Sequence, residues 1–369
     1  MFNCPWGGGS GDHFLHFLLL FGVGRKLKLS PNSSQFQPKL QRKGIKMSIK
    51  YQELTGEDRE KLDSLYGVPN CLIKVNPGGV LLPPKYKELG ERIHNMEVHE
   101  DDVWLVSYPR TGSTWAQEMV WCICNNLDFE TARSAVGQQR NPLLELTALL
   151  GNDKGSWKEA IGNSVEQVEN TKSPRFIKTH LPRSLLPKQL FTVKPKIIYV
   201  TRNAKDMCVS YFHYTNLLHD YHGSFDEFCD LFLAGKAPIG PYWDHVLAFW
   251  EMRDEPNVLF LKYEEMKKDH KAVIRKTANF LEKPLTEEQV VELEEHLSFK
   301  KMRENPAINL DPFLQARNGP GFRQEGDKTF IRKGQVGDWR NYMSEELSNR
   351  FDKWTKENLE GTGLEFQAV

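Results

Sequence analysis

The run Tyr108-Pro-Arg-Thr-Gly-Ser-Thr-Trp115 constrains this chain more than any other feature. An apolar, strand-like stretch, Val103 to Val106, precedes it, and a helix-like stretch, Ala116 to Cys124, follows. A strand, a tight loop with Gly and hydroxyl residues, and a helix start together make an anion cradle. Free backbone N–H groups and the positive end of the helix dipole converge on one spot. Arg110 adds a cation there, and Thr111, Gly112, Ser113 and Thr114 add donors and a close backbone approach. The loop is not a Walker A motif, which needs Gly-x-x-x-x-Gly-Lys-Ser/Thr, because only one Gly is present.

Short apolar runs rich in β-branched and aromatic residues recur at Val103–Val106, Arg175–Lys178, Lys196–Thr201 and Val258–Lys262, with helical patterns between them. That alternation predicts an α/β fold: a P-loop-like parallel sheet flanked by helices on both faces, in a single domain. Functional residues then gather past the carboxyl ends of strands. Tyr108 onward, His180, Arg202 and Tyr263 all stand there. Gly56 to Leu65 reads as a short charged helix and Ala272 to Phe299 as helical. Asn309 to Lys328 reads as a long loop, either a lid or locally disordered.

The chain has 369 residues, enough to bury a sizeable core. Its 49 basic and 49 acidic residues balance, so bulk charge makes no case for nucleic acid or a membrane surface. Residues 1–46 depart from that balance, with seven Lys/Arg against one acidic residue. They read as a disordered basic extension before a domain spanning 47–369, and Met47 is a plausible alternative start. The apolar run Phe14 to Val23 is too short to span a membrane, and its positive charges follow rather than precede it. Six cysteines form no disulfide framework and no Cys-x-x-Cys pair, which points to reduced thiols in the cytoplasm and to no structural zinc.

Two further segments accompany the loop. Ile197-Ile-Tyr-Val-Thr-Arg-Asn-Ala-Lys-Asp-Met-Cys-Val-Ser210 is a strand running into a helix, and Arg332-Lys-Gly-Gln-Val-Gly-Asp-Trp339 is a basic, Gly-containing loop. With Lys178-Thr-His-Leu-Pro182, and from about Leu65 to Phe366, the chain resembles the cytosolic sulfotransferases, in an insect-type form. These enzymes move a sulfonate from 3′-phosphoadenosine 5′-phosphosulfate (PAPS) to a small acceptor, without a metal. The resemblance implies that Arg110 to Trp115 hold the 5′-phosphosulfate, with Trp115 near the adenine. It implies that Arg202, Ser210, Arg332, Lys333 and Gly334 hold the 3′-phosphate, with Tyr263, Ser298 and Phe299 completing the nucleotide site. His180 would be the general base, and Lys178 and Arg110 would stabilise charge on the transferring group. Tyr86, Leu143, His180 and Tyr214 would face a small, mostly apolar alcohol, phenol or amine.

The chain departs from the family at three places. Most animal members carry Lys where Arg110 stands. Leu297 replaces the Thr that lines the adenine pocket ahead of Ser298-Phe299. The C-terminal dimer motif Lys-x-x-x-Thr-Val-x-x-x-Glu becomes Arg340-x-x-x-Ser344-Glu345-x-x-x-Asn349, so dimerisation by that route is not expected. The loop looks close to the insect group that includes a PAPS-dependent retinol dehydratase, in which elimination follows sulfonation. That reading stays open beside simple transfer. A protein that binds the nucleotide without turnover is opposed by Lys178 and His180, and a nucleotide kinase by the missing Walker A motif and metal ligands.

Overall fold

In the computed structural model the described residues are 48–151, 162–319 and 321–366. The expected basic extension, with its apolar run and Met47, lies outside them. Four strands form the central sheet: β4 (Val103–Ser107), β5 (Phe176–Thr179), β6 (Lys196–Thr201) and β7 (Val258–Lys262). Their order is β5-β4-β6-β7, and all neighbours run parallel. The register places Val106 beside Thr179 and Tyr199, and Thr201 beside Lys262.

Each strand alternates between two cores, as a period of two requires. Trp104, Val106, Ile197 and Tyr199 face one cluster, with Met207, Phe228, Phe249 and Phe351 from the helices Ala204–Leu218, Phe225–Leu233, Tyr242–Trp250 and Glu345–Leu359. Val103, Leu105, Ile198 and Val200 face the other, with Met119, Ile274 and Leu293 from the helices Ser113–Cys124, His270–Phe280 and Glu287–His296. All five residues of β4 are buried, which explains why the strand reads as a continuous apolar run rather than an alternating one. Burying one such large side chain is worth about 1.5–3 kcal/mol.

The connection from β4 leads to β5 on one side, and that from β6 to β7 on the other. The chain therefore diverges at the carboxyl ends of β4 and β6, the crevice where open α/β sheets bind ligands. Among the described residues, no helix is long and apolar enough to cross a membrane.

One element was not expected, and two local expectations need correction. A separate antiparallel sheet, β1 (Lys50–Glu53), β2 (Ile73–Asn76) and β3 (Val80–Leu82), precedes the central one and has only weak sequence signals. The stretch from Ala272 to Phe299 is not one helix. It breaks after Phe280, and a new helix starts at Thr286, whose side chain and Gln289 form a capping box. Within the supposed loop from Asn309 to Lys328, Asp311–Asn318 is helical, with Pro312 in its first turn, where a missing N–H costs nothing.

Candidate active site

Gly112 (φ 98°) opens the helix Ser113–Cys124 directly behind β4. A Cβ on Gly112 would come within 2.6 Å of the Tyr263 ring, so glycine is required on both conformational and steric grounds. Arg110 also has positive φ (69°), an unfavourable conformation for a residue with a side chain. Its Nε lies 3.2 Å from the Ser210 hydroxyl, and its Nη2 donates to the Phe330 carbonyl at 2.7 Å. The guanidinium also lies over the rings of Tyr214 and Phe330. Burial, with Arg332 and Arg202 nearby, lowers its pKa to about 10, which leaves it charged at neutral pH.

Arg202 stands immediately past β6, with its guanidinium 4.3 Å from the Tyr263 ring centroid. Asn203 caps the helix that follows, accepting from the Asp206 N–H at 2.9 Å. Asp206 in turn accepts the backbone N–H groups of Gly337 (2.7 Å) and Trp339 (3.0 Å), fastening the C-terminal basic loop to the start of this helix. Asp338 accepts from both Arg332 (2.7 Å) and Lys333 (3.0 Å). Gly334 (φ 62°) brings the backbone against Phe299, where a Cβ would stand 2.6 Å from the ring. The buried Nε atoms of Arg202 and Arg332 have no hydrogen-bond partner, an arrangement an anionic ligand would satisfy.

His180 stands just past β5 with its ring buried. Its Nδ1 lies 2.9 Å from the Ser107 carbonyl oxygen and 3.1 Å from the Ser107 hydroxyl. A carbonyl can only accept, so Nδ1 carries the hydrogen and Nε2 holds the free lone pair. Burial, reinforced by the positive charge of Lys178, holds the imidazole pKa well below 6.5. The ring is therefore neutral at physiological pH. Behind it, His245 Nε2 donates to the His180 carbonyl at 3.0 Å, and Tyr199 donates to His245 Nδ1 at 2.8 Å. Burial, together with Arg110, lowers the Lys178 ammonium to about 8.

One cavity of about 290 Å³ joins these groups. It is lined by Arg110, Gly112, Ser113, Thr114 and Trp115, by Lys178 and His180, and by Arg202, Ser210, Tyr263, Phe299, Arg332, Lys333 and Gly334. No Asp or Glu lines it among the described residues. A wall of cations without carboxylates suits an anion bearing more than one negative charge and offers no ligand set for a divalent metal. Two clusters elsewhere, Glu118/Cys122/His296 and His99/Asp101/Asp102, have metal-like spacing. Glu118 already accepts from Arg140, and Asp102 from Arg175.

Leu143 and Tyr214 line the same cavity, near Leu146, Leu149, Leu310 and Phe313. A smaller chamber of about 70 Å³ also touches His180, Pro109, Leu149, Tyr214 and His219, and it extends toward Tyr66 and Leu72. Three expected site residues fall elsewhere. Tyr86 is fully buried in the core at the start of the helix Tyr86–His94 and lines neither chamber. The Thr111 hydroxyl is turned inward, donating to the carbonyls of Tyr108 and Val200, both at 2.9 Å. Ser298 is the N-cap of the helix Phe299–Glu304 and does not face the cavity, although Leu297 and Phe299 do.

Sequence reasoning missed Ser107, Asp206, Glu145 and His245. A capping signal, Asn203-x-x-Asp206, was available for Asp206. The others had no signal, because only the folded sheet brings them to His180.

The chain matches the Sulfotransferase domain family over residues 100–363. It is 43% identical over 287 residues to the luciferin sulfotransferase of Photinus pyralis, covering 76% of this chain and 77% of that one. It is 38% identical over 278 residues to sulfotransferase 1B1 of Mus musculus, covering 75% and 88%. A solved retinol dehydratase in complex with retinol and PAP superposes with a TM-score of 0.79 at 31% identity, covering 88% of this chain and 100% of that one. The mouse sulfotransferase SULT7A1 complexed with PAP gives a TM-score of 0.61 at 28% identity, covering 79% and 95%.

Proposed function

The chain belongs to the sulfotransferase family, and on that premise we propose that it transfers a sulfonate from PAPS to a hydroxyl or amine of a small, mostly apolar acceptor, with His180 as general base. The observation that carries the base assignment is the 2.9 Å contact of His180 Nδ1 with the Ser107 carbonyl. It fixes the tautomer that leaves Nε2 free, and the ring lines the cavity.

PAPS supplies the sulfonate and leaves as adenosine 3′,5′-bisphosphate (PAP). His180 Nε2 takes the proton of the acceptor hydroxyl as its oxygen attacks sulfur. Lys178 and Arg110 balance the charge that develops on the transferring group and on the departing phosphate oxygen. The N–H groups at the start of the helix Ser113–Cys124 hold the 5′-end. Arg202, Ser210, Arg332 and Lys333 hold the 3′-phosphate, and the orphaned Nε atoms of Arg202 and Arg332 support that assignment. Trp115, fixed by its Nε1 donating to the Leu297 carbonyl at 2.9 Å, and Phe299 frame the adenine. Leu143, Tyr214 and the leucines beside them form the acceptor wall.

We assign this activity to a unit spanning 47–369 and place it in the cytosol. Supporting that location, the described cysteines Cys71, Cys122, Cys124, Cys208 and Cys229 are thiols rather than disulfides. The usual dimer motif is not expected to act, because Ser344 is occupied as an N-cap, accepting from Leu347 N–H at 3.1 Å.

The test is incubation with labelled PAPS and a mixture of small alcohols, phenols and amines, with every product identified by mass. Sulfated products support transfer, and no consumption of PAPS overturns it. The superposition on retinol dehydratase favours a second reading, in which elimination follows sulfonation. A dehydrated product lacking sulfate would identify it.

A further inference from the structure

We propose that Glu145 is a positioning residue for the transfer: it clamps the backbone of the Lys178–His180 segment and supplies the negative charge that faces Lys178. This rests on the functional reading above.

The segment before Glu145 runs beside β5 as an added edge. Lys178 N–H donates to the Pro142 carbonyl at 3.0 Å, and Leu144 N–H donates to the Lys178 carbonyl at 2.9 Å. Glu145 then turns a fully buried carboxylate onto the two residues after Lys178. One oxygen accepts the His180 backbone N–H at 2.7 Å, and the other accepts the Thr179 hydroxyl at 2.8 Å. These bonds fix where β5 ends and hence where the His180 ring emerges. Glu145 does not itself line the cavity, so it acts through its neighbours.

Burying a carboxylate is costly unless it is hydrogen-bonded or paired. Burial pushes Glu145 up to about 7, while its two donors and Lys178 pull it down. Lys178 faces Glu145 from β5, and Arg110 faces Lys178 from the loop behind β4. Arg110 and Glu145 thus act on Lys178 with opposite sign, and Glu145 is the carboxylate among them. Tyr86, from the neighbouring helix, also faces Glu145, but its hydroxyl has no partner and remains neutral. Without the Glu145 charge, Lys178 would lose its proton more readily beside Arg110.

The experiment uses the full chain and two readouts. Lysines labelled with 13C at Cε are followed by NMR across pH, with the Lys178 signal identified by its loss in Lys178→Arg. Turnover is measured with PAPS and 2-naphthol. In Glu145→Gln, Lys178 should titrate about one pH unit lower. The kcat should fall about 10- to 100-fold, as for misplaced catalytic groups, while the affinity for PAP stays unchanged. Lys178 titrating at the same pH, or kcat falling only in step with PAP affinity, overturns the proposal. If Glu145→Gln does not fold, Thr179→Val removes one donor and favours neutral Glu145. Lys178 should then shift in the same direction by a smaller step, and an unshifted titration overturns the proposal. Failure of the unmodified protein to consume PAPS with any acceptor would defeat the functional reading alone, because the Lys178 titration needs no substrate.

Discussion

The Nδ1 of His180 and the carbonyl oxygen of Ser107 stand 2.9 Å apart, although 73 residues separate them in the chain. Parallel pairing of β4 with β5 brings them together, and the contact decides which imidazole nitrogen is free to take a proton. His180→Ala should therefore lower turnover by about 100- to 10,000-fold, the usual contribution of a general base. PAP binding should change little, because His180 is not assigned to the 3′-phosphate. Rate assays beside calorimetric titration with PAP check this, and near-normal turnover would remove His180 from its role.

The pH profile follows from three perturbed groups, His180, Lys178 and Glu145. Burial holds His180 well below 6.5, so it is already in its basic form at neutral pH and loses that form only in acid. Lys178, lowered to about 8, loses its charge as pH rises through that value. The profile of kcat/KM for PAPS, which reports the free enzyme, should fall on the alkaline side near 8, and an acid-side fall near 7 should follow Glu145 and vanish in Glu145→Gln. An acid-side fall near 6.5 that persists in Glu145→Gln would contradict the buried, neutral imidazole.

The 3′-phosphate should be essential for binding. PAP should bind far more tightly than adenosine 5′-phosphate, and Arg202→Ala should erase much of the difference. One charged hydrogen-bonding partner is worth about 1.5–3 kcal/mol, roughly 10- to 150-fold in affinity. Asp338→Asn should weaken PAP less, because it loosens Arg332 and Lys333 without removing them. Calorimetry on the three proteins decides this; equal affinities for the two nucleotides in the unmodified chain would refute the site.

Gly112→Ala should impair the nucleotide loop without touching any charged group. The new Cβ meets the Tyr263 ring at 2.6 Å in a backbone conformation that disfavours side chains. A loss of about 1–3 kcal/mol is expected from such strain, read as a lower melting temperature and weaker PAP binding. Unchanged values for both would show that the loop has slack.

Turnover should survive a chelator. A sulfonate carries less charge than a phosphoryl group, and the cavity wall offers Arg110 and Lys178 rather than carboxylates. Arg110→Lys should keep measurable activity, whereas Arg110→Ala should lose most of it, together with the bonds to Ser210 and Phe330. Assays of all three proteins with and without chelator test this. Strict magnesium dependence would point back to kinase-like chemistry, and full activity in Arg110→Ala would assign the charge to Lys178 alone.

The central sheet was legible in the residue pattern, and the family resemblance named most of the residues that the fold brings to the cavity wall. Those features are local: an apolar run, a glycine with positive φ and a helix start follow one another in Val103–Trp115, and Arg202 and Ser210 are separated by little more than two helical turns. Tertiary structure alone decided the rest. The family resemblance implies an acceptor contact at Tyr86, but packing places it in the core, and the Thr111 hydroxyl goes to backbone carbonyls instead of a ligand. The tautomer of His180, its support by His245 and the clamp of Glu145 depend on segments far apart in the chain. Buried polar groups take whatever partner the fold brings within about 3 Å, and no local pattern records a partner that only strand pairing supplies.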